Sequence, residues 1–190
     1  MNFVNFDANG PVFEVVEELM GLPDEVLDAK FLKTKDDAGL NEWVALATNS
    51  ETLKFYNYEQ KKVKFVPGHR DIVLCLDIWE DMIVTGSKDM TVKLWKAKCE
   101  KTGDGEGSKL DVRLLATFKG HMEGILSLNI GPKKGNFVVS TSSDKSLKIW
   151  ELSEQITKTE RSVTVIFFLL IENRCRSPTR QLCLTRRKSM

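Results

Sequence analysis

Short apolar runs separated by polar turns recur along the middle of this chain. The runs are rich in Val, Ile, Leu and Phe, and the turns contain Asp-Met, Asp-Lys or Gly-Pro-Lys, a pattern typical of antiparallel β-strands. The predicted strands are Val73–Ile78, Ile83–Gly86, Val92–Trp95, Arg113–Phe118, Ile125–Ile130, Phe137–Ser142 and Leu147–Trp150. The pattern therefore predicts an all-β fold.

A composite motif occurs twice among these strands. It opens on Gly-His and closes on Ser-x-Asp-x-[Ser/Thr]-Φ-Lys-Φ-Trp, where Φ is Leu, Ile or Val. One copy runs from Gly68-His69 to Ser87–Trp95, and the next runs from Gly120-His121 to Ser142–Trp150. The spacing along the chain between corresponding residues of the two copies slightly exceeds the ~40–45 residues of a propeller blade. The reason is a polar, Gly-rich insertion at residues 96–111.

A third, divergent copy of the motif precedes these two. Gly21–Leu27 aligns with the first Gly-His segment, and Thr52–Tyr56 aligns with the strand that ends at Trp95. Leu22, Ser50 and Tyr56 stand where the regular copies have His, Asp and Trp. We interpret this copy as a degenerate blade.

The repeated motif resembles that of the WD40-repeat family, which implies β-propeller blades of four antiparallel strands. In that family a His, a strand hydroxyl, a turn Asp and a Trp form a hydrogen-bonded chain in each blade. The resemblance implies two such tetrads here: His69, Thr85, Asp89 and Trp95, then His121, Ser140, Asp144 and Trp150. Thr85 and Asp89 share one parity of their strand, as such a chain requires. The role implied is structural.

The same residues allow a catalytic interpretation, because His69, Asp89 and Thr85 resemble a hydrolase triad. The trio recurs in the next repeat, which a single active site does not require, and no Gly-x-Ser-x-Gly turn accompanies it. We therefore expect no catalytic residues, no cofactor and no small-molecule substrate.

The repeats divide the chain into five expected segments. Residues 1–20 are the outer strand of a preceding blade with an N-terminal extension, and 21–66 are the degenerate repeat. Residues 67–119 are a repeat with the insertion at 96–111, 120–152 are a repeat without a regular last strand, and 153–190 are a divergent, irregular basic tail.

The tail contains one apolar run, Val163–Ile171, which is too short to span a bilayer as a helix. It suits a single strand and could occupy the vacant outer position of the last repeat. The Arg-rich remainder fits either a nuclear-import or RNA-contacting tail, or a solvated segment from alternative splicing or read-through. Because propellers typically need 4–8 blades to close, we expect a piece of a longer chain or an array that needs partner blades.

Composition adds few constraints. The 190 residues carry a net charge of +1, which gives no general basic field for nucleic acid. The four cysteines lack C-x-x-C spacing and both histidines belong to repeats, so we expect no metal site and reduced thiols. The first residues lack the basic and apolar regions of a signal peptide. Gly103–Gly107 carries acids that repel phosphate and predicts a loop tip.

A finer resemblance covers residues 12–152. Leu22–Leu32, Val44–Lys54 and Gly68–Asp77 resemble tandem-propeller WD40 proteins of the small-subunit processome. The resemblance implies a non-enzymatic scaffold for ribosomal RNA processing in the nucleus and nucleolus. Its partners would be other proteins of a large pre-ribosomal assembly, with pre-ribosomal or small nucleolar RNA contacted indirectly and no membrane. The alternative is a WD40 adaptor for signalling or ubiquitin-ligase complexes.

Overall fold

Antiparallel β-strands account for the regular structure of the chain. The computed structural model describes residues 18, 22–32, 43–101, 108–131, 137–152, 167–171 and 184–188, and in these residues there is no helix. The strands are β1 (Val26–Phe31), β2 (Trp43–Thr48), β3 (Thr52–Asn57), β4 (Lys62–Pro67), β5 (Val73–Trp79), β6 (Met82–Ser87), β7 (Thr91–Lys101), β8 (Ser108–Lys119), β9 (Ile125–Ile130), β10 (Phe137–Ser142), β11 (Leu147–Glu151), β12 (Phe167–Ile171) and β13 (Leu184–Lys188).

The strands form successive up-and-down sheets, as in an incomplete propeller. Strands β1 to β4 form the first blade, β5 to β8 the second, and β9 to β11 the third, with neighbours in sequence paired antiparallel. The inner strands β1, β5 and β9 each follow a loop that begins the blade. The first blade has four strands although its signature residues are replaced.

The apolar core lies between the blades. Leu32, Trp43 and Phe55 of the first blade pack with Trp95 of the second in one buried cluster. A second buried cluster joins the second and third blades, and it includes Val84, Leu94, Ile125 and Trp150. Successive side chains of a strand point to opposite faces, so the middle blade supplies both clusters.

The insertion at 96–111 is a strand extension over most of its length, whereas the sequence predicted strand ends at Trp95 and Arg113. Strand β7 continues to Lys101 and pairs with β8 from Ser108 onward. The reason is period-two burial: Ala97 and Leu110 are buried in the first interblade cluster. The ammonium group of Lys64 also donates a hydrogen bond to the Leu110 carbonyl. The predicted loop tip lies within residues 102–107, outside the described residues.

Strands β12 and β13 lie within residues 153–190, the segment that the sequence assigned to a basic tail. Strand β12 covers the end of the predicted apolar run and pairs with β13 in a separate two-stranded sheet. Strand β12 also lies beside β11, the last strand of the third blade's sheet, as the sequence allowed for this apolar run, although its hydrogen-bonded partner among the described residues is β13. The outer strand predicted within residues 1–20 lies outside the described residues, and the segment boundaries stay predictions.

Candidate functional site

In the second blade the structure brings the four predicted tetrad residues into one hydrogen-bonded chain. The indole Nε1 of Trp95 donates to Thr85 Oγ1 over 2.9 Å. Thr85 Oγ1 lies 2.7 Å from His69 Nε2, and His69 Nδ1 lies 2.9 Å from Asp89 Oδ2. The chain links strand β7 through β6 to the loop before β5 and the turn after β6.

The third blade repeats this geometry with serine in the hydroxyl position. Trp150 Nε1 donates to Ser140 Oγ over 2.8 Å, and Ser140 Oγ lies 2.8 Å from His121 Nε2. His121 Nδ1 lies 2.8 Å from Asp144 Oδ2. Two blades of different sequence thus hold equivalent residues in equivalent positions.

The chemistry of the members fixes the direction of the hydrogen bonds. An indole N–H can only donate and an ionised carboxylate can only accept. Burial lowers the pKa of both His69 and His121, although their aspartates oppose the shift, and this favours the neutral imidazole. In the neutral form, His69 Nδ1–H donates to Asp89 and Nε2 is an acceptor. The hydroxyl of Thr85 then accepts from Trp95 and donates to His69 Nε2.

The carboxylate of the turn aspartate accepts several hydrogen bonds from neighbouring groups. Asp89 also accepts from the backbone N–H of Arg70 over 2.9 Å, and from the N–H and hydroxyl of Thr91 over 2.9 and 2.6 Å. Burial raises the pKa of Asp89, but hydrogen bonds from Thr91, Arg70 and His69 lower it to about 2. Asp144 has the equivalent contacts with Met122 and Ser146.

The first blade holds its entry loop by different residues. Ser50, at the aspartate position, shares hydrogen bonds of 2.9 and 3.2 Å with the hydroxyls of Thr48 and Thr52. Lys54 is 2% exposed at its side chain and forms an ion pair with Asp24, which precedes β1. The sequence comparison missed this pair, although its signal was a lysine within an otherwise apolar strand.

Two inner-strand aspartates, which the sequence also did not single out, join neighbouring blades. Asp28 of β1 accepts a hydrogen bond of 3.0 Å from the backbone N–H of Leu76 in β5. Asp77 of β5 accepts one of 2.8 Å from the backbone N–H of Ile130 in β9. Each carboxylate satisfies a backbone donor on the edge of the next inner strand.

Three further findings concern the described part of the chain. Among those residues no cluster of three or more His, Cys, Asp or Glu side chains is arranged to hold a metal ion. Cys75 and Cys99 form no disulfide there, and burial raises the pKa of Cys75 to about 12. Of the ranges described, none contains a helix long and apolar enough to cross a membrane.

Comparison with known sequences identifies the repeats. The profile of the family "WD domain, G-beta repeat" matches residues 60–96 and 112–151. These two ranges contain all eight residues of the hydrogen-bonded tetrads. The second and third blades thus contain WD40 repeats.

Two proteins with known names are similar in sequence to most or about half of this chain. The chain is 27% identical over 157 residues to transducin beta-like protein 3 of Bos taurus, covering 82% of this chain and 18% of that protein. It is 30% identical over 108 residues to "Ribosome biogenesis protein WDR12 homolog" of Chlamydomonas reinhardtii, covering 55% of this chain and 23% of that protein. It thus spans less than a quarter of the length of either relative.

A solved structure supports the fold. The chain superimposes on U3-55K with a TM-score of 0.51 and 19% sequence identity, covering 70% of this chain and 38% of that chain. At this identity the likeness shows the propeller fold alone.

Proposed function

We propose that this chain is a non-enzymatic scaffold of a pre-ribosomal assembly, the small-subunit processome, in the nucleolus. The observation that carries the proposal is the similarity to transducin beta-like protein 3 over 82% of the chain. The similarity to a ribosome biogenesis protein points to the same process. Its partners would be other proteins of that assembly, with pre-ribosomal or small nucleolar RNA contacted indirectly.

The two tetrads serve a structural role in this proposal. Each runs in one donor direction from an indole to a carboxylate, and each ties an entry loop to a turn. Buried polar groups are tolerated only when hydrogen-bonded, and these chains leave the imidazoles and hydroxyls satisfied. They hold the loops of the blade surface in fixed positions.

The geometry argues against a hydrolase use of the same residues. Thr85, the nucleophile of the alternative triad, has 0% exposure. Its oxygen is also hydrogen-bonded to both His69 and Trp95. A nucleophile must reach a bound substrate, and the Thr85 hydroxyl is closed off from solvent.

Affinity purification of the tagged chain from cells tests the cellular role. We expect precursor ribosomal RNA and processome proteins to co-purify. The control is Gly68→Ala, because a Cβ at Gly68 would overlap the ring of Trp95 and disturb the tetrad of the second blade. Recovery of cullins or membrane-signalling proteins instead, without precursor RNA, would contradict the proposal and favour the adaptor alternative.

A further inference from the structure

A groove on the second blade borders the tetrad residues Asp89 and His121 and collects positive charge. Its walls come from the outer strands β7 and β8 and from the loops that enter β5 and β9. Three cationic side chains line it: Arg70, Lys93 and Lys119. Arg70 and Lys119 are exposed, whereas Lys93 is half-buried.

The surroundings of Lys93 differ from those of its counterpart in the first blade. Lys54, at the equivalent strand position, is paired with the carboxylate of Asp24. Lys93 donates a hydrogen bond of 3.0 Å to the neutral hydroxyl of Thr117. Burial lowers the pKa of Lys93; Asp89 opposes this, and the charges of Lys119 and Arg70 lower it further.

Among the described residues that line the groove, the one carboxylate is that of Asp89. Asp89 accepts hydrogen bonds from His69, the Arg70 backbone and Thr91, so its oxygens are shared among local donors. The three cations thus line one groove, in which the half-buried Lys93 is repelled by the charges of Lys119 and Arg70. Such a like-charge cluster costs free energy, which a bound anionic group would recover.

Apolar surface adjoins the cations. Met90 and Leu114 line the same groove, and each is 45% exposed. Among the described residues, those that line the groove include no Phe, Tyr or Trp, whereas single-stranded nucleic acids are held by bases stacked on aromatic rings. Positive charge beside exposed aliphatic side chains matches a protein segment that carries both carboxylates and aliphatic residues.

We propose that this groove binds an acidic segment of a partner protein, with carboxylates at Arg70, Lys93 and Lys119 and aliphatic side chains against Met90 and Leu114. The proposal deepens the scaffold function by giving the chemistry of one partner, and in that sense rests on it. Binding between purified components is nevertheless independent of which complex co-purifies from cells, so the two proposals fail separately.

The test uses the full chain held at low density on a sensor surface. The probe is a short synthetic peptide in which Leu alternates with pairs of Asp, and a second peptide replaces each Asp with Lys. We expect the acidic peptide to bind and the basic one not to bind. The double variant Arg70→Glu/Lys119→Glu should weaken binding at least about tenfold, because reversed charges repel the peptide.

Two further variants make the result specific. Lys30→Glu/Lys62→Glu changes exposed lysines of the first blade by the same total charge and should alter affinity less than about twofold, as for charges distant from the site. Met90→Ser/Leu114→Ser keeps every charge and should also weaken binding. Equal binding to wild type and Arg70→Glu/Lys119→Glu, no binding to wild type, or equal competition by oligouridine RNA would overturn the proposal.

Discussion

Ile125 of the third blade packs directly on Gly86 of the second. A Cβ built at Gly86 would lie 2.6 Å from Ile125 Cγ2 and 2.8 Å from Cys75 Sγ. Gly86 and Ile125 are both fully buried, and strands β6 and β9 meet at this contact. The absence of a side chain at Gly86 therefore sets how closely these two blades approach.

Gly86→Ala is expected to destabilise the fold by about 1–3 kcal/mol, the usual cost of overpacking a well-packed core. The measurement is the free energy of unfolding in urea. Combining it with Ile125→Ala, which removes the clashing methyl, should cost less than the sum of the two single changes. Additive effects would show that the contact does not determine the packing.

Asp89→Ala is expected to destabilise the second blade by about 1–3 kcal/mol, because it leaves the donors of His69 and Thr91 without an acceptor. Ser50→Ala, at the aligned position of the first blade, should change stability by less than about 0.5 kcal/mol. Urea melts of the two variants provide the comparison. Equal losses would mean that the turn aspartate has no special role.

The ion pair of the first blade should behave as a unit. Asp24→Ala is expected to lower the urea midpoint, because it leaves the buried ammonium of Lys54 without its carboxylate. Adding Lys54→Met should restore much of the loss, since a buried apolar side chain needs no counter-charge. A double variant less stable than Asp24→Ala would show that the lysine stabilises the blade without its partner.

Stability is expected to fall with acidification in two steps. Burial lowers the pKa of His69 and His121 below the ordinary 6.5, so the unfolded chain binds more protons and stability decreases as pH falls below about 6.5. The pKa of Asp89 is lowered from 3.8 to about 2, so its contribution is lost as pH falls from about 4 towards 2.

Urea midpoints between pH 8 and 3 measure these steps. These are the two histidines of the chain, so His69→Gln/His121→Gln should remove the step that begins near pH 6.5 and keep the one below pH 4. A wild-type midpoint that does not change between pH 7 and 5 would contradict the neutral-imidazole assignment.

The isolated chain is expected to be oligomeric or poorly soluble. The inner strand of the first blade exposes Val26, Leu27 and Phe31 at 47%, 44% and 59%, and apolar strand surface invites association. Removing Ser162–Met190, which contains a β-prone apolar run, should improve solubility and leave the second and third blades folded. Sedimentation velocity decides the point, since a single monomeric species of the full chain would contradict it.

The sequence predicted the strands of the regular repeats closely. Residues 137–142 were expected as a strand and β10 has these bounds, because alternating burial and the flanking turns are local signals. The insertion after Trp95 was harder to predict. Its polar composition resembles a loop, and the burial of Ala97 and Leu110 depends on the first blade lying beside it.

The sequence by itself determined the all-β class and the repeat, and the resemblance to WD40 repeats indicated the eight tetrad residues, because the second and third blades each encode the signature locally. Only the tertiary structure showed the Asp24–Lys54 pair, the hydrogen bonds of Asp28 and Asp77 between blades, and the cationic groove around Lys93. These contacts join residues from different strands or blades. Their formation depends on how the sheets pack against each other. A repeat pattern along the sequence does not specify which side chains of neighbouring sheets come within contact distance.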